Sequence, residues 1–221
     1  MDGYLIENQD PASLSVLDLG CGNGILPRYL DQNHFSGKYL GVDASPGLLG
    51  LSENTSISPH FAPTFQVLDI TAPGWETQLP ASIYHPIVSF AVFHHIPGVD
   101  LREDIFRKIR LLLPPGGLFI LSNWQFMNSP KLSKRIIPWE KIGLSSSQVD
   151  PGDALLDWRA EQSETGYRYV HNFSEDELKE HALRSGFNIL DSFYSDGNSG
   201  NLAIYQVWQV AQDNQGIHIS K

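Results

Sequence analysis

The chain has 221 residues, 41% of them hydrophobic and 18% charged, which is enough apolar material for a sizeable core and too much for a disordered polymer. A net charge of −10 excludes a general basic coat for nucleic acid and leaves room only for a local basic groove. The single cysteine, Cys21, excludes an internal disulfide and a multi-cysteine zinc cage, and "MDGYLIENQDPASLS" lacks a secretory leader, so a cytoplasmic protein away from membranes is expected.

From Ser15 to about Trp124, apolar β-prone runs alternate with helical patterns, which predicts βαβ units around a parallel sheet. "SVLDLG" reads as a first strand and "ILPRYLDQN" as the helix after it, with Pro27 near its start, where a missing amide proton does little harm. "KYLGVDAS" is a second strand, and Pro46 opens a helix through "GLLGLSEN". "TFQVLDI" and "HPIVSFAVF" read as the third and fourth strands. The helix "LREDIFRKIRLLL" has an apolar side of Leu101, Ile105, Ile109, Leu112 and Leu113, and "PPGG" ends it before a fifth strand, "LFILSNW". From Gln125 to Asn172 the pattern breaks into a polar, proline-bearing insertion longer than an ordinary connection. "FSEDELKEHALRSGF" restores order, with Ser174 and Glu177 spaced as a capping box and Gly186 as a stop. "NILDSFYS" and "NLAIYQVWQV", joined by "DGNSG", predict a closing antiparallel hairpin.

The stretch "VLDLGCGNGIL" ends a buried strand in a glycine-rich turn, and in an open parallel sheet ligands bind beyond that end of the strands. A dinucleotide site asks for G-x-G-x-x-G, which would need glycine where Ile25 stands. Asp18 opposes that reading again, because a carboxylate repels a diphosphate but pairs with a cationic amino acid. The run from Val16 to Gly24 resembles the first motif of the Rossmann-like S-adenosylmethionine-dependent methyltransferases, and "LLPPGGLFIL" is similar to that family's turn before the fifth strand. The resemblance implies an α/β fold: an open, mostly parallel seven-stranded sheet with an antiparallel C-terminal hairpin and helices on both faces. It implies one methyltransferase domain over residues 1–221, with 125–172 a substrate-facing insertion within it. It assigns S-adenosylmethionine to Asp18, Gly20, Cys21, Gly22, Asn23 and Gly24, with Asp43 on the ribose and Ala44 beside it, Asp69 and Ile70 at the adenine, and Ala91 beneath the methyl donor. Cys21, inside the loop, reads as a small packing residue rather than a nucleophile.

His94 and His95, at the end of the fourth strand, are the candidate proton acceptors if the methyl acceptor is a hydroxyl or an amine. Alternation along a strand would send them to opposite faces, one to the site and one to the interior, and no metal site is expected. Further along, "GDALLDW" and "RYVHNF" resemble the tRNA methyltransferases that esterify the carboxymethyl group on wobble uridine. That resemblance implies Arg168 at the acceptor carboxylate or a phosphate, Trp158 or Tyr169 stacked on a base and His171 shaping the pocket, with a tRNA partner and a small zinc-bearing activator protein at the third-strand edge. A small-molecule O- or N-methyltransferase keeps every cofactor residue and drops the tRNA link.

Overall fold

The computed structural model describes residues 14–53, 57–80, 83–158 and 166–211. Seven strands form the main sheet in the order β3-β2-β1-β4-β5-β10-β9. They are β1 (Ser15–Leu19), β2 (Lys38–Asp43), β3 (Thr64–Val67), β4 (Ile87–Phe90), β5 (Leu118–Trp124), β9 (Phe187–Ser195) and β10 (Ala203–Val210). The first five pair parallel with one another, while β10 runs antiparallel to both β5 and β9, as the hairpin pattern predicts. β3 is one edge of the sheet and β9 the other.

Period-two alternation decides which face each side chain covers. Val16, Val88, Ile120 and Val207 pack with Leu30, Phe35 and Tyr39 on one face, under α1 (Ile25–Gln32). Leu17, Ile87, Phe119 and Trp208 pack on the other, under α3 (Val99–Leu112) and α5 (Glu175–Arg184). Phe106 of α3 is fully buried, with its ring 4.3 Å from Phe93 and 5.0 Å from Trp208. Burial of a side chain of this size contributes about 1.5–3 kcal/mol.

The helix starts follow local chemistry. Gly24 enters α1 in the left-handed region, at φ 74°. α2 (Pro46–Glu53) begins with proline, and the Ser45 hydroxyl accepts from the Leu48 amide. Only half of the expected capping box forms on α5: Ser174 Oγ accepts from the Glu177 amide at 3.1 Å, but the Glu177 carboxylate turns to the His171 ring instead.

Two expectations are corrected. β4 stops at Phe90 because Ala91 takes a left-handed φ of 59°, held by its amide bonding to the Ser122 carbonyl at 3.1 Å. Phe93–His95 therefore form a 3-10 turn, and strand alternation does not apply to the histidines: their rings sit side by side, 4.2 Å apart. The insertion is built as a second sheet, β6 (Ile136–Ile137), β7 (Asp153–Trp158) and β8 (Gly166–His171), antiparallel throughout, preceded by the short helix α4 (Pro130–Ser133). Ala154, Leu156 and Val170 of that sheet pack on Phe126 beside the end of β5. Among the described residues no helix is long and apolar enough to cross a membrane.

Candidate active site

The turn after β1 carries three positive-φ glycines, Gly20 at 76°, Gly22 at 57° and Gly24 at 74°. Each glycine has its own reason for lacking a side chain. A Cβ on Gly20 would overlap a Val92 methyl group, and one on Gly24 would press on Ser52 at 3.1 Å, whereas one on Gly22 would point into open space. Gly22 is therefore the position whose bareness serves the cleft rather than the packing. The loop is pinned from outside as well as shaped from within. The Gly20 and Cys21 amides bond to the Val42 carbonyl at 2.8 and 3.0 Å, and Ser52 Oγ donates to the Gly22 carbonyl at 2.8 Å.

Asp43 ends β2 beside this loop. Its Oδ2 accepts from the Gly22 amide at 2.9 Å and its Oδ1 from the Ser45 amide at 2.8 Å, which fixes the carboxylate at the mouth of the turn. Asp18 lies deeper, 3% exposed, with the Tyr39 hydroxyl donating to it at 2.6 Å. Burial, opposed by that hydroxyl and reinforced by the charge of Asp43, pushes the Asp18 carboxyl up to about 7. A carboxylate so poorly compensated is a site that a cation would relieve. Cys21 packs over Gly41, where a Cβ would come within 2.8 Å of its sulfur, and burial raises its thiol pKa, so it is unsuited to act as a nucleophile.

Two cavities meet on this loop and share Gly20, Gly22, Phe90 and Ala91. The first, of about 560 Å³, adds Asp18, Cys21, Asn23, Ile25, Leu26, Tyr29 and Tyr205. The second, of about 450 Å³, adds Asp43, Ala44, Asp69, Ile70, Thr71 and His95, among others. Ten of the predicted donor residues thus border one cleft, with Gly24 beneath it against Ser52. Asp69 is held in a tight turn, accepting from the Thr71 amide at 2.8 Å and hydroxyl at 2.6 Å. Sequence reasoning did not single out Tyr205, Phe90, Tyr29 or Ser52. The Tyr205 ring stacks on Phe193 at 5.3 Å and its hydroxyl donates to Asp196 at 2.6 Å, making it a rigid wall. Its strand was readable, but not which of its faces opens on the cleft.

His95 borders the second cavity and is exposed, whereas His94 is 1% exposed and its Nδ1 accepts from the Trp124 amide at 3.2 Å. Burial and the nearby His95 and Arg168 charges push the His94 pKa well down. Arg168, in β8, is half-buried, and its charge acts on both histidines, which brings the insertion to the rim of the cleft.

Tyr169 and His171 are both tied into the insertion by hydrogen bonds. His171 is fully buried, Nδ1 lying 2.6 Å from Asp153 and Nε2 2.8 Å from Glu177, so both ring nitrogens are engaged inside the protein. The Tyr169 hydroxyl donates to Asp153 at 2.6 Å and receives Arg102 Nη1 at 3.4 Å. Trp158 closes β7, and its side chain lies outside the described residues.

Residues 4–192 match the methyltransferase domain family. A methyltransferase of Schizosaccharomyces pombe is 24% identical over 191 residues, covering 82% of this chain and 69% of that one. The fold is shared with an S-adenosylmethionine-dependent methyltransferase of Methanosarcina mazei, at TM-score 0.69, 19% identity and coverage of 91% and 94% of the two chains. It is shared too with the glycopeptide N-methyltransferase MtfA complexed with S-adenosylhomocysteine, at TM-score 0.62, 16% identity and coverage of 90% and 84%. With its glycine turn, flanking carboxylates and strand order in place, the chain belongs to the methyltransferase domain family and is an S-adenosylmethionine-dependent methyltransferase.

Proposed function

We propose that this chain methylates an oxygen or nitrogen of a small-molecule acceptor, within a single domain whose insertion, residues 125–172, faces the substrate. The observation that carries the small-molecule reading is the acidic balance of −10, which gives a polyanion little to bind. Both His171 ring nitrogens and the Tyr169 hydroxyl are bonded within the protein, which leaves Tyr169 only its ring face for an acceptor.

The bare loop at Gly22, the rim carboxylate Asp43 and the buried carboxylate Asp18 suit the three parts of the donor. Asp43 would hold the ribose hydroxyls, Asp69 and Ile70 the adenine, and Asp18 the amino acid end with its ammonium. When bound, the donor supplies an activated methyl group on a sulfonium centre. The protein's part is to exclude water from the two-lobed cleft and hold the acceptor in line with that methyl group.

Asp18 makes donor binding depend on pH. Its raised pKa means that the free protein carries a proton there below about 7, which must leave before the carboxylate pairs with an ammonium. Affinity for S-adenosylhomocysteine should therefore fall as pH drops, by up to about tenfold per unit below 7, and level off above it. Asp18→Asn should flatten the dependence. Titration calorimetry from pH 5 to 8 reads it directly, and a wild-type affinity indifferent to pH would remove Asp18 from the donor site.

A carboxymethyl group on tRNA is the second reading, favoured by the Arg168 charge at the rim of the cleft. It would place its activator protein on edge strand β3. Incubation with methyl-labelled donor separates the two: label should enter the metabolite fraction of a cell extract, and label confined to tRNA nucleosides would reverse the assignment.

A further inference from the structure

The pair His94–His95 offers two imidazoles in contact, and their hydrogen bonds give them opposite tautomers. His94 Nδ1 accepts from the Trp124 amide, so a neutral His94 carries its proton on Nε2. His95 Nδ1 lies 3.1 Å from the Tyr169 carbonyl oxygen. A carbonyl oxygen only accepts, so His95 Nδ1 is the donor and carries the proton, and the lone pair of a neutral His95 sits on Nε2. We propose that His95 Nε2 is the base of this enzyme and that the methyl acceptor is therefore a hydroxyl or an amine, an atom that still bears a proton, and not a carboxylate. This rests on the methyltransferase reading above and narrows its substrate class.

The surroundings of His95 keep it in that state. His94 stands beside it in the same turn, Arg168 faces it from β8, and Asp69 shares the cavity it borders. The protein packed around part of its ring lowers its pKa, the bond to the Tyr169 carbonyl works against that, and the Arg168 charge lowers it further, which favours the neutral ring. A bare lone pair repels a carboxylate oxygen and attracts an O–H or N–H. The carbonyl is held from behind. Tyr169 pairs with Leu155 across β7, its hydroxyl is anchored on Asp153, and Arg102 ties that hydroxyl to the Ile96 carbonyl, one residue past His95. Arg102 and Tyr169 are thus positioning residues, and the insertion sets the tautomer of a histidine in the turn that follows β4.

The step balances. The acceptor oxygen or nitrogen forms its bond to the methyl carbon as the carbon–sulfur bond breaks and the electron pair stays on sulfur. The acceptor's proton passes to His95 Nε2, which becomes imidazolium and later releases it to water. The positive charge lost at sulfur reappears on the histidine.

Two measurements test this on the full chain. Two-bond nitrogen–proton correlation spectra of protein labelled with ring-¹⁵N histidine, with His95 assigned by its loss in His95→Gln, should show Nδ1 protonated and Nε2 bare at pH 7.5. The reverse tautomer, or fast exchange between the two, overturns the proposal. The second measurement is the alkali stability of product labelled from methyl-labelled S-adenosylmethionine and a small-molecule extract. The label should survive mild alkali as an ether or amine, and His95→Gln should reduce its incorporation about 100-fold or more. Label released as methanol marks a carboxylate ester and overturns the proposal. No incorporation, with S-adenosylhomocysteine still bound in calorimetry, instead overturns the function it rests on.

Discussion

Arg102→Met should lower the free energy of unfolding by about 3–5 kcal/mol, the usual result of removing one partner from a buried ionic network. Arg102 is 1% exposed on α3. Its Nη1 donates to the Ile96 carbonyl at 3.1 Å and reaches the Tyr169 hydroxyl, while its Nη2 lies 3.6 Å from Asp150 and 3.5 Å from Glu177. Its guanidinium carbon stands 5.3 Å from the centre of the Phe173 ring. Methionine keeps much of the length and apolar stem and so isolates the loss of the charge. Glu177 would then keep only the His171 and His181 rings as partners, and Asp150, whose Oδ2 also caps the Val99 amide at 3.0 Å, would lose its countercharge at the start of α3. Lysine should rescue only in part, because a point charge cannot serve four acceptors in the directions a guanidinium does. Urea unfolding at pH 7 reads the difference, and a loss below about 1 kcal/mol would mean that water already screens the cluster.

The same network carries a pH signature. Burial works to raise the Glu177 carboxyl, but the hydrogen bond from His171, the nearness of His181 and the charge of Arg102 outweigh it and bring its pKa down to about 2 from 4.5. A carboxylate depressed in the folded state contributes stability above its unfolded pKa, and that contribution fades as pH falls from 4.5 toward 2. Acid should therefore unlatch the insertion from α3 and α5. In Arg102→Met this acid-dependent portion should shrink, because one of the charges that depresses Glu177 is gone.

How much of this was legible depends on how far apart in the chain the interacting residues lie. The glycine turn and Asp43 could be read because each announces itself locally, a strand end followed by residues that only a bare backbone explains. The sheet could be read for the same reason, since alternation and helix periodicity act over a few residues. Arg102 could not, although it falls on the buried stripe of α3 with Ile105, Phe106 and Ile109. An arginine there is tolerable only because Asp150 and Glu177 arrive from other elements, 48 and 75 positions later in the chain. The insertion hid its sheet because the strands are short and bury only one small cluster, so no periodic run stands out. His171 stands in a motif that points to a pocket-shaping role, and only the three-dimensional placement of Asp153 and Glu177 shows where its two nitrogens go.

Asp43→Ala should weaken binding of S-adenosylhomocysteine about 100-fold, or roughly 2.7 kcal/mol, in titration calorimetry. Two contributions combine at this carboxylate. It would receive the ribose hydroxyls, and it already holds the Gly22 and Ser45 amides, so alanine removes the ligand contact and frees the turn that shapes the cleft. Asparagine retains one acceptor oxygen and should lose about tenfold, because charge-assisted bonds are roughly twice as strong as neutral ones. The turn keeps its other ties, the Gly20 and Cys21 amides on the Val42 carbonyl and Ser52 on the Gly22 carbonyl, so unliganded stability should change by no more than about 1–2 kcal/mol. That difference between a large loss of affinity and a small loss of stability distinguishes a ligand contact from a structural tie. An Asp43→Ala protein that folds and binds S-adenosylhomocysteine as tightly as the parent would place the ribose elsewhere, and binding of NAD in its stead would replace the donor altogether.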